Sequence, residues 1–412
     1  MEVVIKLSID HQCPQCGAPA TLEETDRLFT CEFCRVRSFL QERGHFRYML
    51  PSKAPENKKL VYVPYWRFKG MLFTCLEKEI LHRFVDISQR AVGEDLIPPS
   101  VGLRSQALKL KFVTPKSQGT FLKPTMPFEE VLEIIDRRFT GQIPGPIVHR
   151  AHIGDSLSII YSPFYIDKKV YDAVLDKPVS AKLPEDFTLA EFPEWRQQKG
   201  LNFLATLCPH CGWDLDGQRD SLILNCKNCT SVWRPLKDGF SKLNAAHMPE
   251  KGDDIIYLPF WRIKGDISGL SLDSYADLVR LANLPKVVQE NMEQTRFHFW
   301  SLAFKVRPQN LVQLSRAVTL AQPCENLVSG VPKARLHPVT LPLKEGVESL
   351  KLTLIDLIRP KSSMPELAPG IKIEPKSFLL VYLPFHEKQH DLVHPLFNLS
   401  VNRNMLAHAR NI

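Results

Sequence analysis

The stretch "VYVPYWRFKG" runs from Val61 to Gly70, and "IYLPFWRIKG" runs from Ile256 to Gly265. Tyr62 and Tyr257 lie 195 positions apart, as do Gly70 and Gly265. The same interval separates Cys13 from Cys208, Cys16 from Cys211, Cys31 from Cys226 and Cys34 from Cys229. A constant offset of this kind marks an internal duplication. Further on, "IIYSPFY" (Ile159–Tyr165) matches "LVYLPFH" (Leu380–His386) at an offset of 221, so the second copy gains 26 residues in between. The proline-rich "RPKSSMPELAPGIKIEP" (Arg359–Pro375) is the expected place of that gain, read as an inserted loop.

A chain of 412 residues exceeds the usual size of one core, which favours several domains. Hydrophobic residues at 44% and charged residues at 24% match ordinary folded proteins, without a bias toward disorder. The start "MEVVIKLSID" has no apolar run of signal-peptide length, and "FLLVYLPF" (Phe378–Phe385) is far too short to span a membrane. The expectation is a cytoplasmic protein with no membrane span. The net charge of +8 divides into +3 for residues 1–200 and +5 for the rest. Charge spread so evenly gives nucleic-acid binding only weak support.

Each copy opens with C-x-x-C, fourteen residues and C-x-x-C: "CPQCGAPATLEETDRLFTCEFC" and "CPHCGWDLDGQRDSLILNCKNC". Two cysteines on a tight turn aim both thiolates at one ion, and a hairpin brings the second pair opposite the first. Gly17 and Gly212 follow the first pair, where a turn with positive φ favours glycine. "LFTC" and "LILNC" supply the returning strands.

Each module resembles the zinc ribbon (zinc β-ribbon), and the pair resembles a double zinc-ribbon protein, over roughly 45 residues in each half. The resemblance implies that Cys13, Cys16, Cys31, Cys34, Cys208, Cys211, Cys226 and Cys229 hold two zinc ions per chain. Their role would be structural, because four thiolates leave no open position for substrate. Disulfides fit a cytoplasmic chain poorly, and iron uses the same four-cysteine set, so the choice of zinc or iron stays open. Cys75 and Cys324 have no partner in the pattern and read as small buried residues.

The fold class is therefore α+β in two tandem copies, each a four-cysteine zinc β-ribbon followed by a strand-rich body. The ribbons are placed at 1–45 and 201–240, and the bodies at 46–195 and 241–412. The polar, proline-marked "LPEDFTLAEFPEWRQQKG" (Leu183–Gly200) is the boundary. "PFEEVLEIIDRRF" (Pro127–Phe139), "SYADLVRLANL" and "PQNLVQLSRAV" read as helices.

In a strand the repeated decapeptide sets Trp66 and Phe68 on one side and Arg67 and Lys69 on the other, with Trp261, Ile263, Arg262 and Lys264 repeating the arrangement. Pro64 and Pro259 remove a ladder donor and point to an edge or a bulge. Two readings follow. One is a core strand with a solvated basic face. The other is an exposed aromatic and basic platform for a protein partner, or for nucleic acid, built from Trp66, Arg67, Lys69, Trp261, Arg262 and Lys264. Tyr-x-Pro-[Phe/Tyr] segments beginning at Tyr62, Tyr161, Tyr257 and Tyr382 favour scaffold over site.

"HEKQH" (His386–His390) satisfies H-E-x-x-H, with His394 beyond it. On a helix, His386 and His390 would share a face and hold zinc, with Glu387 as general base of a hydrolase. Lys388 and Gln389 between the ligands, the preceding strand end "YLPF", and Pro395 all oppose that helix. The matching "FYIDKKVYDAV" of the first copy has no histidine. The chain also lacks the common nucleotide, dinucleotide and serine-hydrolase motifs. The expectation is a non-enzymatic interaction or assembly module. A nucleic-acid binder is the alternative and an H-E-x-x-H hydrolase the second alternative.

Overall fold

The computed structural model describes residues 7–41, 44–140, 143, 145–180, 183, 192–397 and 399–409. Part of the expected boundary, residues 184–191, lies outside them. The fold is mixed α+β and rich in strands, with eight α-helices among the described residues. Among those residues, no helix is long and apolar enough to cross a membrane.

The chain forms two compact units, and they do not follow the expected contiguous bounds. The first comprises Met1–Lys69, Asp86–Pro144 and Ser156–Ala205, and the second comprises Gly70–Val85, Gly145–Asp155 and Thr206–Ile412. Asn202–Ala205, expected to open the second ribbon, pairs antiparallel with Arg37–Gln41 of the first. That strand in turn pairs with Leu28–Thr30. The physical reason is reach. Strands Val61–Cys75 and His149–Ile166 are 15 and 18 residues long, so their ends leave the unit in which they begin.

The repeated decapeptides lie at the start of two long strands, Val61–Cys75 and Ile255–Ser268. Neither proline marks a sheet edge. Ile255–Ser268 pairs along its length with Lys372–Lys388. Its other side meets Arg335–Leu336 at residues 256–257 and Phe299–Leu302 at residues 260–263. Pro259 falls in the gap between these partners, where no N–H is needed, and its carbonyl accepts from Ala303 N at 3.1 Å. Val61–Cys75 is likewise flanked by Thr120–Phe121, Ile80–Arg90 and His149–Ile166, and the Pro64 carbonyl accepts from Ala91 N at 2.9 Å.

The backbone around the four Tyr-x-Pro segments is tied in the same way in both halves. Leu122 N donates to the Tyr62 carbonyl (3.0 Å), Trp66 Nε1 to the Met126 carbonyl (3.0 Å) and Leu50 N to the Tyr161 carbonyl (3.0 Å). At the matching positions His337 N donates to Tyr257 (2.8 Å), Trp261 Nε1 to Leu341 (3.1 Å) and Met248 N to Tyr382 (3.1 Å). All four tyrosines are buried. These segments are scaffold: each carbonyl fastens the next element to the sheet.

Burial on both faces explains why the decapeptide is apolar outside its Arg and Lys positions. In the second unit Ile256, Leu258 and Phe260 enter one core with Leu311 and Val318 of helix Pro308–Ala321. Tyr257, Trp261 and Ile263 enter another with Leu350 and Leu354 of helix Leu343–Leu357. Alternation along the strand sorts the side chains between the two cores. In the first unit Val61, Val63 and Tyr65 join Ile160 and Phe164.

Helices Phe128–Thr140, Tyr275–Leu281 and Pro308–Ala321 stand where the sequence places them. Ser274 and Asp277 close a capping box on the second, and Pro308 opens the third. The expected loop at 359–375 instead holds short helical turns, Lys361–Ser363, Met364–Leu367 and Ala368–Gly370, before a strand begins at Lys372. Most of the added length lies elsewhere. Pro64 and its partner Ala91 are 27 residues apart, whereas Pro259 and Ala303 are 44 apart. The difference is filled by Tyr275–Leu281 and Glu290–Gln294.

Candidate metal centres

A tight turn follows each cysteine pair. Gly17 and Gly212 both adopt φ of +72°, and their N–H groups donate to the carbonyls of Cys13 and Cys208 at 2.9 Å. Cys13 N donates to Ala18 O (2.8 Å) and Cys208 N to Trp213 O (2.7 Å). The second pair turns through Arg35 (φ 62°) and Thr230 (φ 53°), neither of them glycine. Cys31 N donates to Val36 O (3.0 Å) and Cys226 N to Ser231 O (2.9 Å). The two modules thus share one backbone hydrogen-bond pattern at all four turns.

These turns bring the thiols together. In each group, Cys13, Cys16, Cys31 and Cys34 or Cys208, Cys211, Cys226 and Cys229, the sulfurs all lie within 4.8 Å of one another. Cys13 Sγ is 3.7 Å from Cys34 Sγ, and Cys16 Sγ is 3.7 Å from Cys31 Sγ. The corresponding separations are 3.7 Å for Cys208 and Cys229 and 3.4 Å for Cys211 and Cys226. A disulfide needs about 2.05 Å. A tetrahedron of thiolates about 2.3 Å from a central ion has edges of about 3.8 Å. The donor set and its spacing fit a metal ion at each centre, and these are the only two such groups among the described residues.

The electrostatics of the second centre are uneven. Ser231 Oγ is 2.9 Å from Cys229 Sγ and accepts from Trp233 Nε1 at 2.7 Å, so its own proton is directed at the sulfur. This hydroxyl, first among several contacts, draws the Cys229 thiol down to about 5. Burial pushes Cys226 up to about 12. In the first centre Val36 and Ser38 stand at the corresponding places, and the Cys34 N–H is the main influence that lowers Cys31 to about 6. The relay through Ser231 and Trp233 has no signature in the cysteine spacing, and sequence reasoning missed it.

The expected exposed platform does not exist at its central residues. Trp66 is 8% exposed, Arg67 2% and Trp261 2%, while Lys69, Arg262 and Lys264 are partly buried. The indoles are turned to backbone carbonyls in the core, as described above. At Arg67 the basic face is not solvated either. Arg67 pairs with Glu24 and makes bonds of 2.7 and 2.8 Å to the two carboxylate oxygens of Asp86. Burial opposes its charge, but the two carboxylates prevail and raise its pKa. Glu24 sits on the turn after strand Pro19–Glu23, so Arg67 ties the cysteine module to the strand behind it. Lys69 has its pKa lowered by burial.

The H-E-x-x-H stretch is not helical. His386 and Glu387 end strand Lys372–Lys388, Gln389 turns with φ of 46°, and Asp391–Val393 returns as a strand. His386 Nδ1 lies 3.3 Å from Asp254, and Glu387 pairs with Arg335 at 2.7 Å and Arg403 at 3.7 Å. A hairpin does not set residues i and i+4 on one face, so the arrangement that would hold zinc is missing. His394 is buried and accepts from Leu396 N and Phe397 N at 3.1 and 3.2 Å through Nδ1. Cys75 is buried, and burial pushes its thiol up to about 12, far from a nucleophile's range.

Two exposed aromatics were not singled out by sequence. Phe33 is 67% exposed between Cys31 and Cys34, and Trp213 is 60% exposed beside Cys211 and Gly212. No family model matches the chain, and no curated protein or solved structure matches it.

Proposed function

We propose that the chain is a tandemly duplicated, double zinc-ribbon-like protein that binds two structural zinc ions and serves as a non-enzymatic module for protein interaction or assembly. The observation that carries this reading is the geometry of the two four-cysteine groups, in each of which all four sulfurs lie within 4.8 Å of one another, with two pairs at 3.4 to 3.7 Å. Four thiolates complete a zinc site and leave no position for substrate, which points to a structural ion. The offset of 195 and the matching hydrogen bonds support the duplication.

The partner reading is supported by Phe33 and Trp213, each held out to solvent on a cysteine turn. Large aromatics on a rigid support lose little freedom on binding and dominate many protein contacts. The burial of Trp66, Arg67 and Trp261 takes away the surface on which a nucleic-acid reading would rest. Elemental analysis of the purified chain tests the metal: two zinc ions per chain are expected, falling to one in Cys31→Ser and one in Cys226→Ser. Iron in both centres, or no metal, overturns the reading. Affinity capture from native lysate tests the rest: a protein partner lost on Phe33→Ser or Trp213→Ser supports it, and recovery of nucleic acid alone refutes it.

A further inference from the structure

The second unit carries a groove of about 640 Å3. Its floor is the sheet face bearing Trp261, Ile263 and Phe378, and its walls are helix Leu343–Leu357, the strand Val232–Leu236 and the strand end at Leu243. Ile263 and Phe378 are direct cross-strand partners, so their side chains project to this same face. A groove of this size with apolar walls matches what buries one or two large apolar side chains of a ligand.

Its rim is cationic. Arg234 on the ribbon strand and Lys344 on the helix are both exposed and, among the described residues, neither is in an ion pair. Lys376, on the third side, is already shared between Asp266 and Glu374 at 3.3 Å each. Glu348 is the one acid on the rim. Two unpaired cations on separate elements, rather than one convergent cluster, suit a ligand with carboxylates spread along its length.

The groove also offers backbone. Leu380 N donates outward to Asn244 O, away from the strand Ile255–Ser268. Alternation then directs the N–H and C=O of Phe378 the same way. The covering strand Ala245–His247 begins opposite Leu380, so it stops short of Phe378. Phe378 is 40% exposed and lines the groove.

We propose that this groove is a docking site for an extended peptide segment of a partner protein, with a bulky apolar side chain flanked by Asp or Glu. The apolar residue enters over Trp261 and Ile263, the acids meet Arg234 and Lys344, and the peptide backbone pairs with Phe378, as in strand addition to an open sheet edge. The inference rests on the interaction reading above and gives it a site and a partner chemistry.

The test is selection of a random twelve-residue peptide library on the full chain, with binding measured by fluorescence polarisation. Enriched peptides should place Asp or Glu beside Leu, Ile, Phe or Trp. Their affinity should fall at least tenfold in Val347→Arg, which fills the groove, and at least tenfold in the surface double variant R234E/K344E. Thermal unfolding of both variants should match the parent. The double variant changes only exposed residues, so it decides the matter if Val347→Arg unfolds. No enrichment, enrichment of basic peptides, or acidic peptides that bind the double variant unchanged would each overturn the proposal. Dodecanoate binding with no peptide selected would overturn it in favour of a small amphiphile. If a native partner is captured equally well by R234E/K344E, the groove is refuted while the interaction reading stands.

Discussion

Arg67 shows how much one side chain can hold. It is fully charged, almost wholly buried, and shared by Glu24 and Asp86, which are 6% and 17% exposed. Replacing it with Met leaves two carboxylates facing each other without a cation, a change that costs about 3–5 kcal/mol in comparable buried pairs. Arg67→Met should therefore lower the denaturant midpoint of the first unit sharply, and E24Q in the same chain should restore part of the loss. A midpoint equal to the parent's would show that the pair contributes nothing. Ser231 is the second residue to test. Its hydroxyl is held by Trp233 and aimed at Cys229, and outer partners of metal ligands are worth about tenfold or more in affinity. Ser231→Ala should weaken metal at the second centre about tenfold in chelator competition, while the first centre, with Val36 at that place, is the internal control. The two four-cysteine groups were legible because two C-x-x-C turns and a hairpin determine the geometry locally. Arg67 was not, because its partners come from positions 24 and 86, and strand alternation alone cannot say whether a polar face meets water or carboxylates.

At the scale of the element, the hairpin from Lys372–Lys388 to Asp391–Val393 is followed by a turn that depends on a neutral histidine. The Nδ1 of His394 accepts two backbone N–H groups, and its ring packs against Phe385 and Phe397. Burial, aided by His386, lowers its pKa to about 4. The unfolded chain binds this proton near the ordinary value of 6.5. The stabilisation is thus complete above about pH 6.5 and is lost as pH falls toward 4. His149, His298 and His337, also lowered to about 4 chiefly by burial, act in the same direction. Unfolding midpoints measured from pH 7.5 to pH 4 should fall through that window, and His394→Gln should make the fall shallower. A parallel profile for the variant would remove His394 from the account. The sequence identified this stretch as a strand end from "YLPF" and Pro395, and that physical signal outweighed a five-residue motif match. It did not reveal that the prolines of the long strands lie between flanking strands rather than at edges, because the gap is made by segments dozens of residues away.

At the scale of the molecule, repetition in the sequence and compactness in space divide the chain differently. The offset of 195 suggests a cut near residue 200. The compact units instead give residues 70–85 and 145–155 to the second unit and keep 202–205 in the first. A chain cut between 200 and 201 therefore produces two incomplete pieces. Residues 201–412 lack Met71, Phe73, Ala151 and Ile153, all buried in the core that Leu258 and Phe260 enter. They also lack the Gly154 N–H that donates to the buried Glu345 at 3.0 Å. Full burial of a large apolar side chain is worth about 1.5–3 kcal/mol, so Met71, Phe73 and Ile153 together contribute of order 5–10 kcal/mol. That is comparable with the whole stability of a typical domain, about 5–15 kcal/mol. Residues 1–200 lose the strand that pairs with Arg37–Gln41. Expressed alone, the 201–412 piece should keep its four-cysteine module folded, because Leu215–Leu243 carries its own four-stranded sheet, yet it should show collapsed amide dispersion in the body and no cooperative unfolding. Co-expression of the two pieces should restore both. If each piece unfolds cooperatively on its own with the stability of the intact chain, the units are independent copies after all, and the exchange of strand ends carries no weight.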